Sequence, residues 1–371
     1  MLFTWFDSLL NVDYGDANNS IPTIRSLHEL HAHLNGSLSK STMIELSSCL
    51  IDKGIIADKT NIFLDSEFEI GSGDTRNLAD CFQVFNIAHS LTSTPETLSL
   101  ATKLTLKEFE DDGCCYIELR STPKETPYMS CKEYIETIVK AMLNSKLSII
   151  PALIISINRA NPILEAEQNA DLAIDFHKKH PNIVVGIELS GNPVVGQFLD
   201  FIPALTRARN AGLKVTLHCG EISNPNEVMD MLNFKPDRIG HGVCIHPLYG
   251  GSDVTWELLC KSAIPVEVCL TSNVNTKSTS DYLSHHFKKL YEANVPTILC
   301  TDDKGVFSTS LSQEYLICAQ TFNLSKVEIA ALSLNSCNYI FLQERKREIF
   351  DIIQGYKNKT WLYGLCSLCL S

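Results

Sequence analysis

The stretch Leu27–Gly36 reads LHELHAHLNG, and the pair His31 and His33 inside it decides how the rest of the chain is read. Side chains two apart on a β-strand share a face, so both imidazoles reach one point at that strand's end. Leu30, Ala32 and Leu34 then fall on the opposite face, as a strand with one packed side requires. Imidazole is a common zinc ligand, and two on one rigid strand supply half of a four-ligand shell. His-x-His alone also occurs in ordinary core and surface strands. Three later stretches give it company: TLHCGE at Thr216–Glu221, RIGHG at Arg238–Gly242 and CTDD at Cys300–Asp303. Each closes an apolar run and offers a metal-ligating or acid–base side chain.

Outward from the first strand, the apolar runs are Leu27–Leu34, Cys114–Leu119, Leu147–Ser156, Ile183–Leu189, Leu213–Leu217, Arg238–Val243, Ile264–Cys269 and Val295–Cys300. They are short, rich in Val and Ile, and mostly apolar throughout, the mark of strands covered on both faces. Helix-period segments such as Leu98–Asp111, Cys131–Ser145, Ala166–His180 and Phe198–Ala211 lie between them. Eight strand–helix units predict an α/β fold of the (β/α)8 TIM-barrel type. Between Ser39 and Thr97 the chain holds two helical stretches, Lys40–Ile51 and Leu78–Leu91, an insertion at the face where a lid or pocket wall is built. Phe82, Phe85 and His89 share helical spacing there. Extra C-terminal helices are expected over Ser312–Lys357, with ERKRE at Glu344–Glu348 as a solvated face. The expected organisation is an irregular leader (1–26), one barrel domain (27–357) and a tail (358–371).

Composition narrows the function. The chain has 371 residues, 44% of them hydrophobic and 20% charged, as in a globular protein with a large core. A formal net charge of −12 argues against nucleic acid as a partner, since phosphate backbones need a basic footprint. The apolar start MLFTWFDSLL lacks a basic flank and a cleavage site, so neither a secretory signal nor a membrane span is expected. Fourteen cysteines without regular spacing are read as reduced thiols of a cytoplasmic protein, Cys366-x-x-Cys369 included.

In such a barrel, catalytic side chains project from the C-terminal ends of different strands. His31 and His33 close strand one, His218 strand five, His241 strand six, and Asp302 and Asp303 strand eight. Three His and one Asp with an open position make a catalytic rather than a structural zinc shell, one ion per chain, which would bring water toward ionisation at neutral pH. Glu221, three residues past His218, stands where a proton donor to substrate is needed. His241 is placed to take a proton from the water, and Asp303 to hold that water in line. His285 and His286 are read as loop residues outside the metal shell.

HAHLNG, GIELSGNP, TLHCGE, RIGHG, CLTSN and CTDDKGVF occur in this order, and over residues 27–342 the chain resembles the adenosine/AMP deaminase superfamily of metal-dependent hydrolases. Asn35, the ELRSTPK stretch at Glu118–Lys124 and TDDKGVF look most like its adenosine deaminase-like branch, which removes the N6-amine from N6-methyl-AMP. Where adenosine deaminases carry an Asp that binds the ribose 5′-hydroxyl, an amide at Asn35 can donate to a 5′-phosphate that a carboxylate would repel. The resemblance implies His31, His33, His218 and Asp302 as zinc ligands, Glu221 as the acid that protonates purine N1, and His241 as base and electrostatic partner of the attacking hydroxide. It implies Asp303 orienting that hydroxide and contacting the ring, Gly191 bonding purine N3 through its backbone, and Asn35, His89 and Asn158 lining the ribose–phosphate end. The product would be IMP, with methylamine or ammonia released, from a monomer acting on a small-molecule purine nucleotide without membrane or nucleic-acid partners. Adenosine deamination, or a purine-binding barrel without catalysis, are the alternatives. Lys124, Lys304, Thr122 and Ser37 are lesser phosphate candidates. Two positions depart from the branch: Asn158 in SINRA replaces an Asp, and His28, expected to face the helices, replaces an apolar residue.

Overall fold

The eight apolar runs are eight parallel strands: β1 Leu27–His33, β2 Cys114–Ser121, β3 Ile150–Asn158, β4 Val184–Ser190, β5 Lys214–Cys219, β6 Arg238–His241, β7 Val266–Val268 and β8 Thr297–Leu299. They pair in chain order. Just past β8, Asp302 N donates to His31 O (2.8 Å) and His33 N to Asp302 O (2.9 Å), which ties the last strand back to the first. This is the expected (β/α)8 barrel. The computed structural model describes residues 27–56 and 78–349; the expected leader and tail, and residues 57–77, lie outside the described residues.

Around the barrel run α1 Lys40–Asp52, α2 Leu78–Leu91, α3 Pro95–Asp111, α4 Cys131–Leu143, α5 Ile163–Lys179, α6 Phe198–Asn210, α7 Pro225–Phe234, α8 Asp253–Ser262, α9 Leu270–Asn275, α10 Phe287–Glu292, α11 Leu311–Phe322 and α12 Lys326–Ser336. Local chemistry sets their starts. Ser130, Ser252 and Ser325 begin α4, α8 and α12 with reciprocal side-chain and backbone caps. Outward-facing strand residues such as Leu119, Leu153 and Leu217 pack on the helices in one continuous core. The insertion has its own smaller core, in which Met43, Leu46 and Leu50 of α1 meet Leu91, Ala101 and Val306. No helix among the described residues is long and apolar enough to cross a membrane.

Strict alternation fails in one place. The β1–β2 register shifts between Glu29 and Ala32, so Leu30 packs with Ile154 and Ile298 instead of with Ala32 and Leu34. The cause is Glu29, whose carboxylate accepts the backbone N–H groups of His31 (2.8 Å) and Thr301 (3.0 Å) in place of ladder carbonyls. His28 does face the helices: fully buried, it meets Ser336 Oγ of α12 at 2.9 Å, and burial pushes its pKa down to about 4.

The barrel interior beneath the strand ends is charged. Arg120 binds Glu188 (3.1 Å), Glu267 (3.0 Å) and Leu30 O (2.6 Å). Arg238 binds Glu267 and Glu118 (both 2.5 Å) and Tyr339 O (2.7 Å), and lies 3.5 Å over the Phe341 ring. The segment after α12 therefore plugs the lower mouth with Tyr339–Leu342. All five charged side chains are buried completely. Such a cluster is tolerated because each charge has an opposite partner.

Candidate active site

At the C-terminal ends of the strands the predicted residues converge on one cavity of about 870 Å³. His31 Nδ1 lies 2.7 Å from Glu267 Oε2, and a carboxylate only accepts, so Nδ1 carries the ring proton and Nε2 is bare. That Nε2 is buried, makes no hydrogen bond, and stands 3.2 Å from Asp302 Oδ1. His218 Nδ1 lies 2.8 Å from Glu188 Oε1, and its Nε2 stands 3.2 Å from His33 Nε2. His33 Nε2 is in turn 3.3 Å from Asp302 Oδ1. Bare nitrogens aimed at each other and at a carboxylate oxygen repel unless a cation lies among them, so the donor set fits a divalent metal ion. Two overlapping sets, His31, His218, His241 and Asp302, and His31, His33, Glu188 and His218, have ligand atoms within 4.8 Å of one another. Glu188 is already engaged by Arg120 and Ser156, and His241 Nε2 stands farther off, 4.0 Å from Asp302 Oδ2.

The backbone is strained at two of these residues. His241 (φ +61°) and Asp302 (φ +63°) both occupy the left-handed region, a cost the surroundings must impose. Gly36 explains the end of HAHLNG: a Cβ there would fall 1.6 Å from Asp303 Oδ1. Gly191 has φ +94°, and a Cβ on it would meet Asn158 Oδ1 at 2.2 Å.

Burial and neighbouring charge tune the acids. Burial and then the Asp302 charge push Glu221 up to about 8, and the same two causes raise Asp303 well above the carboxylate range. For Asp302 burial works upward, but the surrounding imidazoles of His31, His33 and His241 hold it well below the carboxylate range. Burial lowers His218 to about 4 and holds His241 well below the ordinary imidazole value. Glu221 Oε1 lies 3.9 Å from His241 Nε2. A neutral carboxylic acid beside a donor set that fits a cation, facing a cavity, is equipped to give a proton to a bound base.

Asn35, His89, Asn158 and Gly191 line the same cavity, as do Phe85, Thr122 and Lys124; the side chain of Phe82 lies outside the described residues. Asn35 is held by Tyr134 Oη, which donates to its Oδ1 (3.1 Å), and donates from Nδ2 to Thr92 Oγ1 (2.8 Å). Asn158 Oδ1 accepts from Ala160 N (2.9 Å), a turn an Asp would make equally, so the Asn removes charge and keeps the fold. Lys304 is not brought to the site. Its Nζ bonds Glu108 (2.6 Å) over the Phe109 ring, because the acid on α3 pairs it before any ligand can. Ser37 is buried away from the cavity wall. His285 and His286 lie in the loop before α10 and in neither candidate ligand set, and both are buried beside His241.

Sequence reading passed over Glu188, Glu267, Arg120, Ser272 and Asn273. The signal was present, since Glu188 and Glu267 are charges in the middle of otherwise apolar strands.

The sequence model described as adenosine deaminase matches residues 27–356, and the chain belongs to the adenosine deaminase family. It is 42% identical over 326 residues to the human N6-methyl-AMP deaminase, covering 86% of this chain and 89% of that one. To the Arabidopsis thaliana N6-mAMP deaminase it is 38% identical over 362 residues, covering 90% and 97%. The solved structure of Arabidopsis ADAL complexed with IMP superposes with a TM-score of 0.79 at 37% identity, over 91% of this chain and 98% of that one.

Proposed function

We propose that the chain is a zinc-dependent hydrolase that converts N6-methyl-AMP and water to IMP and methylamine. The observation that carries this is the bare Nε2 of His31 facing Asp302 Oδ1 beside a buried, proton-holding Glu221. His31, His33, His218 and Asp302 would hold the ion, three nitrogens and an oxygen being a donor set that suits zinc. When bound, the ion lowers the pKa of water toward neutrality.

The chain's own groups do the rest. Glu221 gives its proton to purine N1 as oxygen adds to C6, which removes the charge that would build up on the ring. His241 and Asp303 face that oxygen. Gly191 offers its backbone N–H to purine N3, and Asn35, His89 and Asn158 take the ribose–phosphate end. Breaking the C6–N6 bond releases methylamine and leaves the keto oxygen of IMP. The relatives that carry this activity by name, and the IMP-bound relative of the same fold, support the choice of substrate.

The test is a side-by-side assay of N6-methyl-AMP, AMP and adenosine on zinc-loaded protein. N6-methyl-AMP should turn over fastest, with IMP and methylamine as products. Adenosine turning over fastest overturns the nucleotide preference, and no turnover of any purine overturns the enzyme.

A further inference from the structure

Behind His241 runs a chain of hydrogen bonds whose direction is set at its far end. Phe287 N–H, a backbone donor, points at His285 Nδ1 (3.1 Å). His285 Nδ1 is therefore an acceptor, and burial keeps this ring neutral by driving its pKa well down, so its one proton is on Nε2. Nε2 lies 3.3 Å from Asn273 Oδ1. With Oδ1 accepting there, the Asn273 amide turns its NH2 toward His241 Nδ1, 3.0 Å away. The opposite amide setting would press NH2 against the His285 Nε2–H. His286 adds a clamp, donating from Nε2 to the carbonyl of His241 (2.7 Å) and so holding the residue in its left-handed backbone.

We propose that Asn273 and His285 are positioning residues that hold His241 in the Nε2–H tautomer, so that His241 meets the attacking oxygen as a hydrogen-bond donor and not as a base. The tautomer follows from the protein alone; the donor role rests on the deaminase reading. Nδ1 is occupied as an acceptor, and Nε2 is the atom that faces Glu221 and Asp302. The proton of the oxygen that adds to C6 passes to Asp303, which a divalent ion held beside it would keep as the carboxylate and whose Oδ1 makes no hydrogen bond among the described residues, and then to the departing N6 as the C6–N6 bond breaks. Glu221, having protonated N1, recovers a proton from the C6 hydroxyl as the keto product forms. Protons balance without His241 accepting one.

The test is nitrogen-15 NMR of histidine-labelled, zinc-loaded full-length protein near neutral pH, with His241 assigned by its loss in His241→Asn. A protonated Nε2 and a bare Nδ1 are expected; a protonated Nδ1, or a doubly protonated ring, overturns the proposal. This reading needs no variant at position 273 and no activity, so failure of the deaminase reading leaves it decided. Asn273→Asp presents an acceptor and should move the His241 proton to Nδ1. With the donor removed, kcat should fall on the order of 10²–10³-fold with KM nearly unchanged. The same tautomer switch with undiminished kcat overturns the donor role.

Discussion

Two layers of ionisable side chains lie one above the other in the barrel, the lower sealed and paired, the upper facing a cavity and paired differently. In the layer beneath the cavity, Arg120 and Arg238 engage Glu118, Glu188 and Glu267, and the attraction of the arginines outweighs burial to keep Glu188 and Glu267 ionised. In the layer above, no Lys or Arg among the described residues forms an ion pair with Glu221 or Asp303, and burial drives both toward their neutral forms, while His31 keeps a bare nitrogen. Paired charges in an apolar barrel are scaffold. Unpaired ones cost stability and persist where chemistry needs a poised proton or an open ligand. The layers are joined, since Glu267 orients His31 and Glu188 faces His218, so the scaffold also fixes the tautomers presented above it.

The largest effect should come from breaking the lower layer. Arg120→Met leaves Glu188 and Glu267 buried with part of their partnership gone, and removal of one partner from a buried pair typically costs about 3–5 kcal/mol. Urea unfolding of the variant and the parent measures this. A loss below ~1 kcal/mol would mean that the network is not what holds these carboxylates in the barrel.

The matching change in the upper layer should do the reverse. Glu221→Gln keeps the shape, removes the transferable proton and relieves no ion pair. We expect kcat to fall on the order of 10²–10⁴-fold with bound metal and unfolding free energy undiminished. Retained turnover would take Glu221 out of the acid role, and a large stability loss would erase the distinction between the layers.

His28 sharpens the contrast from outside both layers, as a buried group kept neutral by its surroundings. Its folded pKa of about 4 lies below the ordinary 6.5, so protonation favours the unfolded chain. The stability this linkage protects is complete above pH 6.5 and is lost as pH falls toward 4. His28→Leu removes that dependence. The difference in unfolding free energy between parent and variant should change by about 3 kcal/mol from neutral pH to pH 4, whereas a pH-independent difference would mean that His28 titrates in the fold as it does in the unfolded chain.

Most of the architecture was legible because it depends on local pattern. Apolar runs ended in His or Asp at strand termini, and parallel strands need covering on both faces, so the barrel and the convergence of these side chains at one end of it came out together. What was not legible depends on contacts between distant segments. Lys304 looked free in the motif, but its partner Glu108 is 196 positions away. Glu188 and Glu267 read as flaws in apolar strands until Arg120, from a third strand, stood between them. His285 is the loop residue it looked like, but its contact with Asn273 appears only once the turn before α10 is folded. The bulge at Glu29 needed Thr301, 272 positions away. Periodicity reports which face a residue takes, and it is silent on which distant charge will meet it there.

The smallest expected effect probes the far end of the cavity, where the upper layer gives way to neutral groups. Asn35 accepts from Tyr134 and donates to Thr92. Asn35→Asp keeps the first bond, loses the second and adds a negative charge to a wall shared with Thr122 and Lys124. If a 5′-phosphate lies there, like-charge repulsion should lower kcat/KM for the nucleotide by roughly tenfold relative to the nucleoside. Parallel kinetics on N6-methyl-AMP and its nucleoside measure that ratio. Equal losses for both would put the phosphate elsewhere and leave Asn35 as a packing amide; a selective loss would make this neutral end the part of the cavity that separates nucleotide from nucleoside.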